Sequence, residues 1–234
     1  MIKYLVVGIF GAGLLACSSV STISVRSENV PITRAYEGAN KADSIIIPYR
    51  DALAEEMQEV IAFAAKEFTK GRPNGSLNNW SADAVLASQR YRLDDRIPTF
   101  CLLNFGGLRN PISKGEVTLA DMFKLMPFDN EIVCVELPIS SIQDIEKYLS
   151  RSGGEPIAGA RLVNGKLEID DFDTLSESVL VITSDYLYNG GDKMLFFENA
   201  ISKYNTGVLL RDAMINQAII QEELVWDDDE RISF

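Results

Sequence analysis

The chain has 234 residues, 47% of them hydrophobic and 24% charged, enough for one large domain or two small ones with a proper core. Its formal net charge of -12 argues against duplex nucleic acid as the main partner, because binding a phosphate backbone needs a basic footprint. With no histidine anywhere, Ser-His-Asp and Cys-His catalytic sites and His-containing metal centres are excluded as well.

At the start, Lys3 precedes an apolar run over residues 4–15, followed by Ala16 and Cys17, the order of a cleavable signal peptide. The run is too short to remain as a transmembrane helix, which needs roughly 20 apolar residues. Leu14-Leu15-Ala16-Cys17 resembles the bacterial lipobox, which implies acylation of Cys17 and cleavage before it. The expectation is therefore a signal peptide over 1–16 and an exported lipoprotein. Its lipid anchor at Cys17 would hold it on a membrane, with the outer membrane, facing the periplasm or the cell surface, as the expected site. Each buried acyl methylene contributes roughly 0.8 kcal/mol to such anchoring. Residues 17–43 are polar and read as a tether, and 44–234 as one folded domain.

Within that domain, Leu53, Met57, Val60, Ile61 and Ala64 recur at helical spacing and predict an amphipathic helix over 51–68, ended by Gly71-Arg72-Pro73-Asn74-Gly75. A second helix is expected over 80–89 and a buried strand over 98–104. A short helix capped by Thr118 follows over 118–126, then an alternating strand over 131–137 and a helix over 140–149. Weaker strand signals occupy 160–163 and 166–169. A β-branched strand over 178–184 is the strongest of these signals. A long helix over 208–224 and a closing strand over 231–234 complete the reading. Helices and strands intermix throughout, which predicts an α/β (α+β) domain.

Cys101 and Cys134 sit in apolar, strand-like runs and read as buried free thiols, with a mutual disulfide as the alternative in an oxidising compartment. Asp227-Asp228-Asp229-Glu230 reads as a solvated acidic turn. Calcium or magnesium is the alternative there, but an oxygen cage wants spaced ligands and a turn glycine.

Three segments carry chemistry. Asn104-Phe105-Gly106-Gly107-Leu108-Arg109 ends a buried strand in glycines, so that backbone N–H groups and Arg109 can approach an anion. Met126-Pro127-Phe128-Asp129-Asn130 offers an aromatic on a turn fixed by proline. Tyr186, in Ser184-Asp185-Tyr186-Leu187-Tyr188-Asn189-Gly190-Gly191-Asp192, offers a second beside a Gly-Gly-Asp turn. Two aromatics can sandwich a base, at roughly 1–3 kcal/mol per base, and a carboxylate such as Asp192 can accept hydrogen bonds from ribose hydroxyls.

In this order and spacing the three segments resemble the C-terminal domain of the 5'-nucleotidase family, whose patterns are Asn-Gly-Gly-Gly-Ile-Arg, Leu-Pro-Phe-Gly-Asn and an aromatic followed by Asn-Gly-Gly-Asp-Gly. The resemblance implies a mixed sheet flanked by helices. It also implies a substrate site in which Asn104, Gly107 and Arg109 face phosphate and ribose, Phe128 and Tyr186 clamp the base, and Asp192 binds the ribose. The resemblance also implies that Arg72 supplies the family's further upstream arginine as a seventh substrate contact, with its register off by one. Phe105, Asp129 and Lys193 stand where the family has glycine.

Members of that family carry an N-terminal metallophosphatase domain that holds two metals and hydrolyses the ester. The implied function is thus the nucleotide- or nucleoside-binding half of a split, exported 5'-nucleotidase. It would contain no catalytic residue and no cofactor of its own, with divalent metals on a separate exported metallophosphatase chain. The alternative is a non-catalytic nucleotide-binding or structural surface lipoprotein.

Overall fold

The computed structural model describes residues 27–29, 40–92, 96–170 and 176–234. Cys17 and the signal-peptide reading lie outside the described residues. The chain divides at Ile45/Ile46, and the unit Ile46–Phe234 holds everything that follows apart from the start of the first helix. That helix, α1, runs Asn40–Met57.

The predicted helix over 51–68 ends eleven residues early, at Met57, and Val60–Ala64 is a strand, β1. β1 pairs antiparallel with β3, Gly115–Thr118, from Val60 opposite Thr118 to Ala64 opposite Gly115. Val60, Ile61 and Phe63 suit a pleated surface as well as a helix, and the partner that decides between them lies some fifty residues on.

The main sheet has five strands in the order β5-β2-β8-β4-β9. They are β2 Thr99–Leu102, β4 Glu131–Pro138, β5 Ile157–Ala158, β8 Ser178–Ser184 and β9 Ser202–Leu209. A separate hairpin joins β6, Ala160–Val163, to β7, Lys166–Ile169. Within the main sheet β2 and β8 run parallel, with Cys101 opposite Ile182, and β4 runs antiparallel to β8, with Ile132 opposite Ser184. The C-terminal ends of β2 and β8 and the start of β4 therefore share one end of the sheet. β9 escapes sequence reasoning because it is an edge strand with an exposed, polar start (Ser202, Lys203, Tyr204, Asn205), and it takes Val208 and Leu209 from the predicted last helix.

Both faces of the sheet are covered. Cys101, Ile182, Ile132 and Cys134 point into a core shared with Leu77 and Trp80 of α2, Ser76–Gln89, and with Ala213 and Met214 of α6, Leu210–Gln221. Phe100, Leu102, Val133, Val135 and Val181 point into the other, with Ile145 and Leu149 of α4, Ile142–Ser152, and with Phe196 and Phe197. Burial on both faces explains why these strands read as near-continuous apolar runs. α3, Leu119–Leu125, starts at Thr118 as expected, where the Asp121 carboxylate accepts from the Thr118 amide (3.0 Å) and hydroxyl (2.8 Å). The expected closing strand is reduced to one parallel bridge between Ile232 and Leu162.

Cys101 and Cys134 are buried and free. Each lies opposite Ile182 on either side of β8, and two interstrand steps put their Cα atoms about 9–10 Å apart, beyond disulfide reach. The disulfide alternative therefore fails on geometry. Burial, with the charges of Asp83 and Cys134, raises the Cys101 pKa well above its ordinary value, so the reactive thiolate is suppressed. A chromogenic thiol reagent is expected to leave both cysteines untouched in the native domain under oxidising conditions and to label both after denaturation.

Candidate nucleotide-binding site

At the shared end of the sheet, Asn104, Gly106, Gly107, Arg109, Phe128, Asn130, Tyr186 and Asp192 line one cavity of about 330 Å³, at the small end of the range for ligand pockets. Of the seven residues expected to contact substrate, the fold brings six to this cavity; Arg72 is not among its lining residues. Asn130 is an additional lining residue beyond those the sequence points to, and its place directly before β4 is the local signal for it.

Asp192 organises the site. One carboxylate oxygen accepts from Asn104 Nδ2 at 2.6 Å and the other from the Tyr186 hydroxyl at 3.0 Å. Its backbone carbonyl accepts from the Tyr148 hydroxyl at 3.2 Å. The Tyr148 pKa is pushed up to about 12 by burial and the charges of Glu155 and Asp192, so the phenol keeps its proton. Asp192 and Lys193 both adopt left-handed backbone, with φ of 51° and 63°. For side chains with a Cβ this conformation costs roughly 1–3 kcal/mol and persists only where surroundings over-determine it, as the three hydrogen bonds to Asp192 do.

Two glycines are required by close approach. A Cβ on Gly191 would lie 2.5 Å from the Tyr186 ring, and one on Gly107 would lie 2.7 Å from Asn104 Oδ1. Tyr186 follows Ser184, whose Oγ accepts the Leu187 N–H at 3.2 Å and so starts the one-turn helix α5, Asp185–Tyr188.

Phe128 is held from below. Arg211 of α6, 7% exposed, donates to the carbonyls of Met126 (3.2 Å) and Phe128 (3.3 Å) and to the Asp129 carboxylate (2.6 Å), and lies 4.2 Å from the Phe123 ring centroid. Asp129, one of the departures from the family pattern, thus faces Arg211 and does not line the cavity. Phe105, another, packs between Lys70 (4.3 Å) and Arg72 (4.6 Å) and does not line it either. The third, Lys193, lines a separate open surface concavity beside α4.

Among the described residues, Arg109 and Asp192 are the charged ones that line the cavity. Arg109 has one long bond, 3.4 Å to the Gly106 carbonyl, and its guanidinium lies 5.9 Å from the Phe128 ring centroid. Phe128 and Tyr186 are 39% and 45% exposed, so both rings present surface at the cavity.

Among the described residues, no group of three or more Asp, Glu, Cys or His side chains could hold an ion. In the acidic run, Asp227 pairs with Arg231 and Asp229 with Arg161, so the turn is engaged by arginines as well as solvent.

These observations define a class, an α/β domain with an aromatic-rimmed cavity at one end of a mixed sheet, and the comparisons show which known domains it is similar to. Residues 54–152 match the family model described as 5'-nucleotidase, C-terminal domain; that stretch carries the 104–109 loop and Phe128, while Tyr186 and Asp192 lie beyond it. The trifunctional nucleotide phosphoesterase protein YfkN of Bacillus subtilis is 27% identical over 147 residues, covering 53% of this chain and 10% of that protein. The 5'-nucleotidase of Homo sapiens is 22% identical over 163 residues, covering 56% of this chain and 28% of that protein. The match thus spans less than a third of either relative. The crystal structure of the 5'-nucleotidase precursor from Thermus thermophilus superposes with a TM-score of 0.66 at 20% identity, over 82% of this chain and 43% of that one. The resemblance to the 5'-nucleotidase C-terminal domain holds in sequence and in fold.

Arg211→Ala is expected to lower stability by about 2 kcal/mol in urea denaturation, because it strips a buried donor from two carbonyls and a carboxylate. Asp129→Ala, at a side chain 79% exposed, is expected to cost about 0.5 kcal/mol or less.

Proposed function

We propose that this chain is the substrate-binding half of an exported 5'-nucleotidase. It binds the base and ribose of a nucleotide while a separate metallophosphatase chain supplies the metals and hydrolyses the phosphate ester. The observation that carries this reading is the pairing of two exposed aromatics with a pre-oriented carboxylate on one nucleoside-sized cavity.

The base stacks between Phe128 and Tyr186, where removing a stacking partner costs roughly 1–3 kcal/mol. Asp192, its carboxylate oriented by Asn104 and Tyr186, retains lone pairs for ribose hydroxyls. Arg109 offers its planar fork to the phosphate. Metal-activated water, the remaining requirement for ester hydrolysis, comes from the partner.

Calorimetric titration is expected to show adenosine and AMP binding to the purified domain, weakened about tenfold or more by Phe128→Ala or Tyr186→Ala. The domain alone is expected to release no phosphate from AMP with added divalent metal, and to do so once complexed with an exported metallophosphatase. Robust hydrolysis by the chain alone would overturn the division of labour. Binding without any catalytic complement would favour a non-catalytic nucleotide-binding lipoprotein.

The same proposal places the protein on a membrane through lipidated Cys17. Among the described residues no helix is long and apolar enough to cross one. In cells, Cys17→Ser is expected to move the protein from the membrane fraction to the soluble exported fraction and to abolish incorporation of labelled fatty acid.

A further inference from the structure

Asp192 borders two hollows. Its carboxylate lines the cavity described above, while its backbone carbonyl accepts from Tyr148, which lines a second concavity of about 1070 Å³. That volume is about three times the first and at the top of the size range of ligand pockets. One face of α4 contributes Asp144, Lys147 and Arg151, the β6–β7 hairpin contributes Gly165 and Lys166, and the short turn Leu195–Asn199 contributes much of the rest. These parts are fixed to one another. The buried Glu146 carboxylate accepts from the Leu167 amide (3.0 Å) and from Lys166 Nζ (3.1 Å), which ties the hairpin to α4. The Tyr148 and Phe196 rings meet edge to face at 5.8 Å, which ties α4 to the turn.

In a chain of net charge -12, this lining carries four cations, Lys147, Arg151, Lys166 and Lys193, against three carboxylates, Asp144, Glu146 and Glu198. Lys147 is matched by Asp144 at 3.0 Å and Lys166 by Glu146. Arg151 and Lys193 are exposed and, among the described residues, without an ion pair or hydrogen bond. Lys193 holds its place against a conformational penalty, because its φ of 63° is a left-handed backbone that glycine adopts freely and a side chain with a Cβ does not. A strained lysine with no partner inside the protein points to a partner outside it.

We propose that this concavity binds an acidic glycan, a sugar chain carrying carboxylate, sulfate or phosphate groups. Its acid groups pair with Arg151 and Lys193. Its hydroxyls meet Gln143, Glu198 and Asn199, whose amide and carboxylate groups accept and donate as sugar hydroxyls require. Single-stranded nucleic acid suits the lining less well, because Phe196 is buried and the Tyr148 ring packs on it, so neither offers a face on which a base could stack. An acyl lipid suits it less well too. Leu195 is the large apolar side chain exposed among the described lining residues, and one such side chain cannot cover a hydrocarbon tail. The glycan site is separate from the nucleotide cavity and does not rest on the function proposed for it.

The test is calorimetric titration of the purified chain with a galacturonic acid hexamer and a heparin hexasaccharide, beside neutral maltohexaose and hexathymidylate. At least one acidic glycan is expected to bind with a Kd of about 1 mM or below, and maltohexaose and hexathymidylate about tenfold more weakly or not at all. Arg151→Ala and Lys193→Gly are each expected to weaken the acidic glycan about tenfold. Lys114→Ala, at an exposed lysine outside the concavity, is expected to leave it unchanged. Lys193→Gly keeps the left-handed backbone without its strain, so its urea midpoint is expected to hold or rise, and lost binding there is not lost fold. Excess AMP is expected not to displace the glycan. Failure of both acidic glycans to bind, equal binding of maltohexaose, or full affinity in either the Arg151 or the Lys193 variant would overturn the proposal. Hexathymidylate binding more tightly than either glycan would assign the concavity to nucleic acid instead, and displacement by AMP would place the glycan in the nucleotide cavity; both results overturn it as well.

Discussion

The parallel pairing of β2 with β8, flanked by antiparallel β4, is the constraint from which the site follows. Parallel neighbours end on the same side, and an antiparallel neighbour begins there, so the loop after β2, the one-turn helix after β8 and the turn before β4 meet. Segments separated by up to 88 residues, as Asn104 and Asp192 are, come within 2.6 Å. Crevices outside the carboxyl ends of strands are where open α/β sheets commonly bind ligands. Here the strands supply position, and the loops supply aromatic faces and hydrogen-bonding groups.

Each loop has its own support from behind. Arg211 grips the Phe128 turn through carbonyls and Asp129; Glu155 and Arg72 grip the 104–109 loop; Tyr148 and Tyr186 hold Asp192. The residues that stand in for glycine in the family pattern are absorbed by this layer. Phe105 becomes a surface for two cations and Asp129 a partner for Arg211, while Lys193 turns toward a different concavity. A side chain added where a glycine stood need not fill the cavity when the backbone directs its Cβ to the other side.

Charge is distributed by the same logic. In a chain of net charge -12, the cavity balances one arginine against one carboxylate, and the other nearby cations, Lys70, Arg72 and Arg211, are spent on carbonyls, carboxylates and rings. An arginine near a ligand site is therefore not by itself a ligand contact; its hydrogen-bond partners decide.

Much of this was legible in the residues. The strands over 131–137 and 178–184 declared themselves because both of their faces are buried, the Thr118 cap because it is local, and Asn104, Arg109, Phe128, Tyr186 and Asp192 because glycine and proline turns isolate them beside apolar strands. β1 and β9 were hidden: the first shares its pattern with a helix, and the second is an exposed polar edge whose strand conformation comes from its neighbour β4. The role of Arg72 was equally hidden. The amino-acid order by itself determined which side chains were available and which local segments were strands, caps and turns, since those depend on neighbours a few residues away. Only the tertiary structure decided which segments meet, that the two cysteines stand a strand apart, and which arginines face the cavity or brace it, because those depend on sheet pairing across tens of residues.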